Sequence, residues 1–221
     1  MQRSAPFSQN RLAAFLVVPV SLIFALRTLA LEYPLSSQEI RQAYFFGRSS
    51  DRGKVAEFLG QYIRVFSPPQ EESSFVGRIE LRTPYQGVVE RSWENWADYS
   101  AQRAQTDYAK QAGILVLRLY LYVGAGGPGP ADLYLDSKGR VLDRRENFWR
   151  DFQFRVAQDH VFQPEKVVAR PLYGRRGQGL AGAEVELEFD ANDFAPREMR
   201  IEIVAPQGRT TTTDFALDQL K

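Results

Sequence analysis

Apolar residues recur at helical spacing in the part of the chain that follows residue 30. Ser36 and Glu39 stand three positions apart ahead of an apolar run, which is the pattern of a capping box, so a short helix is expected to continue to about Phe46. A second apolar stripe recurs every third or fourth position over residues 55–66 and predicts an amphipathic helix ended by residues 67–69 (Ser-Pro-Pro).

A third helix is predicted over residues 85–111. Val89, Trp93 and Trp96 fall at helical spacing there. Glu90, Glu94 and Asp98 would then share one stripe of the same helix.

Alternation of apolar and polar residues marks residues 75–82 and recurs along the chain after residue 111. In residues 184–189, for example, three glutamates alternate with Val185, Leu187 and Phe189, as expected of a strand with one buried face. The run at 114–123 is apolar and branched enough to predict a strand buried on both faces. Strands are predicted at residues 75–82, 114–123, 133–136, 140–143, 152–156, 166–171, 184–189, 198–204 and 209–217.

Two or three helices followed by many short strands predict an α+β fold with a largely antiparallel sheet or sandwich. Residues 137–139 (Ser-Lys-Gly) are expected to close a hairpin, and residues 124–130 (GAGGPGP) have the composition of a loop. The C-terminal strands have the pattern of an immunoglobulin-like part, without its Cys-Trp-Cys hallmark. Residues 31–175 and 176–221 are the two candidate regions, the second of which can belong to the same domain.

The first 30 residues have the order of a secretory signal. Two arginines and no acid precede a run of 15 uncharged residues, 12–26, and small residues follow at 28 and 30. The run is shorter than the roughly 20 apolar residues that cross a bilayer, and Pro19 interrupts it. We therefore expect export to the periplasm or the extracellular space. The alternative is an uncleaved N-terminal anchor, which would be the only membrane contact.

Composition excludes several classes of protein. The chain has 221 residues and no cysteine, which excludes disulfides, thiolate metal sites and a cysteine nucleophile. Residues 1–30 hold three of the 28 basic residues and none of the 27 acidic ones, so the remainder carries a formal net charge of −2. This balance gives no electrostatic reason to expect nucleic acid as a partner.

Three segments, residues 33–48 (YPLSSQEIRQAYFFGR), 79–92 (IELRTPYQGVVERS) and 185–220, resemble a family of uncharacterised exported bacterial proteins. The resemblance covers most of the chain after residue 30 and contains no catalytic signature. It implies export and a shared fold, and no activity comes with it.

Three tryptophans are the candidate binding residues. Exposed flat rings stack on sugars and are favoured at protein interfaces, so Trp93, Trp96 and Trp149 could form a carbohydrate-binding platform. That hypothesis requires at least two of these rings to be exposed and coplanar. Ordinary core packing is the simpler interpretation for Trp93 and Trp96, because they share the apolar spacing of the predicted helix.

The catalytic candidates are few. Glu90 and Glu94 could act as the carboxylate pair of a hydrolase, although neighbours on one helix face are usually solvated. His160 is the only histidine, which argues against a zinc site or a Ser-His-Asp triad. The turn at residues 190–193 (Asp-Ala-Asn-Asp) could hold calcium weakly, and a plain turn explains it equally well.

The basic loop around Arg170, Arg175 and Arg176 could meet an anionic partner, or it could be a solvated connection.

Taken together, these candidates predict no catalytic residue, cofactor site or metal site. The sequence favours an exported, non-enzymatic protein that binds or assembles with a protein or polysaccharide of the cell envelope. Carbohydrate binding and hydrolysis are the alternatives.

Overall fold

A computed structural model describes residues 33–69, 74–124, 133–135, 141–143, 146–174 and 179–221, with the backbone alone at 133–135 and 141–143. The predicted signal, the loop at 124–130 beyond Gly124, the turn at 137–139, and Arg175 and Arg176 lie outside these residues. None of the helices within the described ranges has the length and apolar character that crossing a bilayer requires.

Four α-helices lie in the described residues of the N-terminal half. The capping box at the start of the first helix is confirmed: the Ser36 amide donates to the Glu39 carboxylate (2.7 Å) and the Glu39 amide donates to the Ser36 hydroxyl (3.2 Å). The helices are α1 (Ser37–Gly47), α2 (Arg52–Gly60), α3 (Pro84–Glu94) and α4 (Ala101–Gln111).

The second predicted helix is too long. It ends at Gly60, and Ile63–Val65 form a strand, β1, that pairs antiparallel with β2 (Ser74–Arg82). The residues of the apolar stripe pack in two different clusters: Val55 packs among the helices, and Tyr62 packs in the core of the sheets. Branched side chains at 63 and 65 favour the strand once a partner strand is present.

The third predicted helix is two helices. Ser100 caps a new helix by accepting from the Arg103 amide (3.2 Å), and the Asn95 side chain donates to the Arg91 carbonyl (3.1 Å) at the end of α3. Asp98 therefore lies in the connection and does not continue the helical row of Glu90 and Glu94, which corrects the prediction of a three-carboxylate stripe.

The remaining strands pair antiparallel and lie close to their predicted positions, except for the short β7, which was not predicted. They form a large sheet of order β1-β2-β3-β9-β8, a smaller sheet of order β11-β10-β6-β7 and a two-stranded sheet of β4 and β5. Their bounds are β3 (Ile114–Val123), β4 (Leu133–Leu135), β5 (Val141–Asp143), β6 (Gln153–Ala157), β7 (Val161–Phe162), β8 (Lys166–Tyr173), β9 (Leu180–Asp190), β10 (Glu198–Val204) and β11 (Thr210–Ala216).

The two larger sheets face each other across one apolar core. Leu117, Leu119 and Val185 of the large sheet and Ile201 and Phe215 of the smaller sheet belong to the same buried cluster. The predicted α+β fold with a sandwich-like arrangement of antiparallel sheets is confirmed. Strand β9, from the candidate C-terminal region, lies between β3 and β8 of the preceding region, so the same sheet includes strands of both. The immunoglobulin-like character of the C-terminal part stays a prediction.

The outer face of the large sheet is polar, so β3 is fully buried on one face only. Arg118 lies between the carboxylates of Glu80 (3.6 Å), Glu184 (3.6 Å) and Glu186 (2.6 Å) on the neighbouring strands. The apolar appearance of β3 in the sequence comes partly from tyrosines, which lie half-buried on this face. A second apolar cluster joins the four helices, and Phe58 packs against both clusters.

Candidate functional site

A close crossing of α1 and α3 places the end of α1 beside the end of α3. A Cβ atom on Gly47 would lie 2.4 Å from the Val89 carbonyl oxygen and 2.7 Å from the Ser92 Cβ atom. Only glycine allows this approach, because real Cβ atoms do not come this near to backbone. The crossing brings the last turn of α1 to the connection between α3 and α4.

The connection between α3 and α4 is held to α1 by hydrogen bonds. The Tyr99 amide donates to the Asn95 carbonyl (3.1 Å), which closes a turn over residues 95–99. The Tyr44 hydroxyl, on α1, donates to the Tyr99 carbonyl (3.2 Å). These contacts fix the position of Trp96, which lies within the turn.

Arg48, which follows the last residue of α1, makes a second link to the connection between α3 and α4. Its Nη1 donates to the Tyr99 carbonyl (2.9 Å) and to the Tyr44 hydroxyl (3.1 Å). Its guanidinium carbon also lies 4.7 Å from the centre of the Trp96 ring and 5.5 Å from that of Tyr44. Both distances are within the range of cation–π attraction.

Arg52, in the first turn of α2, links the two tryptophans. Its guanidinium carbon lies 4.2 Å from the centre of the Trp93 ring and 5.3 Å from that of Trp96. Tyr44, Arg48, Trp96, Arg52 and Trp93 thus form a chain in which arginines alternate with aromatic rings. Together with Phe45, these residues are called the aromatic–arginine surface below.

Two large apolar side chains of this surface are exposed to solvent. Phe45 is 65% exposed and Trp96 is 41% exposed. Keeping such rings exposed forgoes the stabilisation of burial, about 25 cal/mol for each Å² of apolar area. Exposed aromatics beside arginine are the composition that recurs at the centres of protein interfaces.

The two arginines are not neutralised by carboxylates. Within the described part of the chain, neither Arg48 nor Arg52 forms an ion pair, whereas Arg118 and Arg170 of the large sheet each contact two or more glutamates. The surface therefore presents two cations held against rings, with hydrogen-bond donors to spare.

The structure brings two of the three predicted tryptophans together. Trp93 packs partly against the helical cluster, and Trp96 extends from the same surface. Trp149 lies elsewhere, half-buried against the sandwich core with Arg150 5.3 Å from its ring centre. Only Trp96 of the three is among the exposed large apolar residues, so the two exposed rings that sugar stacking requires are not seen.

The carboxylates proposed for a hydrolase have different surroundings. Glu90 forms an ion pair with Arg82 of β2, and Glu94 is exposed at the end of α3. Glu90 is therefore paired with a permanent cation, and Glu94 is open to solvent, so neither carboxylate has the surroundings of a catalytic acid–base pair.

The other candidates are plain surface features. His160 is exposed and contacts the Phe162 ring (4.3 Å between ring centres). The Asp190 carboxylate accepts from the Asn192 amide (2.9 Å), as the turn interpretation predicts. Arg170 pairs with Glu184 and Glu186 of β9. Among the residues that the structure describes, no group of three or more metal-binding side chains comes together.

A small cleft of about 130 Å³ lies between α3, α4 and the polar face of the large sheet. Burial lowers the pKa of Arg82 at its wall, with a further contribution from repulsion by Arg118. Its acids are already paired, since Glu186 contacts Arg118 and Glu188 contacts Lys166 (2.8 Å). The cleft lacks an unpaired acid that could act in catalysis, which makes it the weaker candidate.

Phe45, Arg48 and Arg52 were not predicted as site residues. A signal does exist in the sequence, because Tyr44, Arg48 and Arg52 recur every fourth position. This spacing runs past the end of α1, however, and the tryptophans that the two arginines contact lie more than 40 residues later in the sequence.

Comparison with protein families, with curated proteins and with solved structures finds no match to this chain. The function must therefore be argued from the site itself.

Proposed function

We propose that this protein is an exported, non-enzymatic binding protein that assembles with a component of the cell envelope through its aromatic–arginine surface. The observation that carries this proposal is the exposed Trp96 ring, held against two arginines that have no carboxylate partner among the described residues, with the exposed Phe45 ring beside Tyr44 on the same helix as that tyrosine. Export to the periplasm or the extracellular space belongs to the proposal and is supported by the signal-like order of residues 1–30.

The geometry supports binding in preference to catalysis. The surface offers donors, cations and apolar area, and its helices and hydrogen bonds hold these groups in place before a partner arrives. Pre-organisation of this kind lowers the entropic cost of association. Sugar stacking is less well supported, because Arg52 lies against Trp93 and the third ring is remote.

The test is a hydrogen-exchange footprint of the protein in the presence of a solubilised envelope extract. Protection is expected in residues 37–60 and 92–100 and nowhere else to a comparable extent. The double variant Phe45→Ala/Trp96→Ala should lose it. Val65→Ala, which alters a side chain that is 76% exposed on β1, is the matched control and should keep it. Protection confined to other elements, no protection, or protection that survives the double variant would refute the proposal.

A further inference from the structure

We infer that the partner of the aromatic–arginine surface is a protein segment that carries two carboxylates on one face beside an apolar side chain. This inference rests on the proposed function and names the chemistry of the occupant. Charge, spacing and apolar exposure each support it.

The charge of the surface is complementary to carboxylates. A guanidinium group has five N–H donors, and Arg48 uses only Nη1 for its two contacts with Tyr44 and Tyr99. The Arg52 guanidinium makes ring contacts, and within the described residues its side chain forms no hydrogen bond. Both groups keep pairs of donors that suit a carboxylate, which guanidinium binds in a two-point geometry.

The spacing of the arginines limits the partner. Their guanidinium carbons lie 4.7 Å and 5.3 Å from the centre of the same Trp96 ring, so they are no more than about 10 Å apart. Acidic residues two apart in an extended segment are separated by about 6.6 Å, and those four apart on a helix by about 6 Å. Either arrangement can place one carboxylate on each arginine.

The exposed rings supply the apolar part of the contact. Phe45 lies in the last turn of α1, three residues before Arg48, and the Trp96 ring lies against the Arg48 guanidinium. An apolar side chain of the partner next to its acids would cover these rings. Covering them would also remove water from the ion pairs and strengthen them.

Neighbouring acids favour a protein over an anionic membrane. Glu94 and Asp98 are both exposed within two residues of Trp96. They would repel a sheet of anionic headgroups, which is uniform in charge. A protein segment can place its acids on Arg48 and Arg52 and keep basic or neutral groups near Glu94 and Asp98.

The experiment is a selection of random 12-residue displayed peptides on the immobilised full chain. Enriched peptides should share two acids, spaced two or four apart, next to an aliphatic or aromatic residue. As synthetic peptides, they should bind Arg52→Glu at least about tenfold more weakly than the unaltered protein, since the variant turns an attraction into a repulsion.

Arg150→Glu is the matched control. Arg150 is also an exposed arginine near a tryptophan ring, but Trp149 is half-buried, so peptide affinity should stay within about twofold of the unaltered protein. Arg52 is exposed and its side chain forms no hydrogen bond within the described residues, so Arg52→Glu should fold, which a circular dichroism melt checks.

Several outcomes would overturn the inference. Enrichment of neutral or basic peptides that still need Trp96 would refute the acidic chemistry and leave the proposed function standing. Enriched peptides that bind Trp96→Ala as well as the unaltered protein would refute both. Binding to vesicles of anionic phospholipid without peptide binding would make the occupant a membrane. Dimerisation in light scattering that Arg52→Glu abolishes would make it a second copy.

Discussion

Substitution of Gly47 by alanine tests the crossing on which the aromatic–arginine surface is built. The new Cβ atom would lie 2.4 Å from the Val89 carbonyl oxygen, where ordinary contacts begin at 3.4 Å, so α1 and α3 must separate by about 1 Å. Overpacking of this kind costs about 1–3 kcal/mol. The nearest atom is a backbone oxygen that cannot rotate away, so the upper part of this range, about 2–3 kcal/mol, applies. Alanine regains about 1 kcal/mol through its better helix propensity, which leaves a net loss of about 1–2 kcal/mol.

Gly87→Ala is the matched control for Gly47→Ala. Gly87 lies inside α3, the helix against which Gly47 packs, and a Cβ atom there meets nothing within 4 Å. Only the helix propensity changes, so the variant should be more stable by about 0.5–1 kcal/mol.

The assay is thermal unfolding followed by circular dichroism. For a chain of this size, 1 kcal/mol corresponds to about 2–4 °C, so the melting temperature should fall by about 2–8 °C for Gly47→Ala and rise by about 1–4 °C for Gly87→Ala. A Gly47→Ala variant as stable as the unaltered protein, or an equal loss of stability in both variants, would refute the role of the close crossing.

Two further predictions concern the sandwich. The Tyr62 hydroxyl is buried, donates to the Lys221 carbonyl (2.8 Å) and accepts from the Lys221 amide (3.0 Å), so Tyr62→Phe should cost about 1–2 kcal/mol in urea unfolding near neutral pH. Burial raises the pKa of Tyr62 above its unfolded value near 10, so its contribution is complete below about pH 10 and is lost as the pH rises further. The alkaline decline in stability should be shallower in Tyr62→Phe, and an unchanged decline would contradict this assignment. Arg118→Gln removes the cation shared by three glutamates whose side chains are 12–16% exposed. Arg78 and Arg170 still contact these glutamates, so the loss should be about 1–3 kcal/mol, less than for acids left with no partner. Arg155→Gln, where the arginine is 61% exposed beside Glu202, should cost less than about 0.5 kcal/mol, and equal losses would refute the role of burial.

Local patterns predicted most of the fold. The capping box at Ser36 and the alternation in residues 184–189 depend on residues that are neighbours in sequence, and both were confirmed. The errors occur where distant contacts decide. Residues 63–65 join a strand because β2 is beside them, and the break at residues 95–100 is stabilised by contacts with α1.

The candidate site was predicted only in part. Trp93 and Trp96 could be selected by residue type and spacing, and the structure places them together. Arg48 and Arg52 could not be selected in this way, because their contacts with the tryptophan rings join residues that are far apart in the sequence. Trp149 shows the converse, since residue type alone does not tell an exposed ring from one that packs on a core.

The central claim is that Trp96 lies open to water in the free protein and is covered by an acidic, apolar segment. Acrylamide quenching of a variant that keeps Trp96 alone, with phenylalanine at positions 93 and 149, tests it most directly. We expect red-shifted emission that acrylamide quenches readily, and weaker quenching when a peptide from the selection is added. Blue-shifted, poorly quenched emission in the free protein would show that the ring is already covered, and would contradict the account.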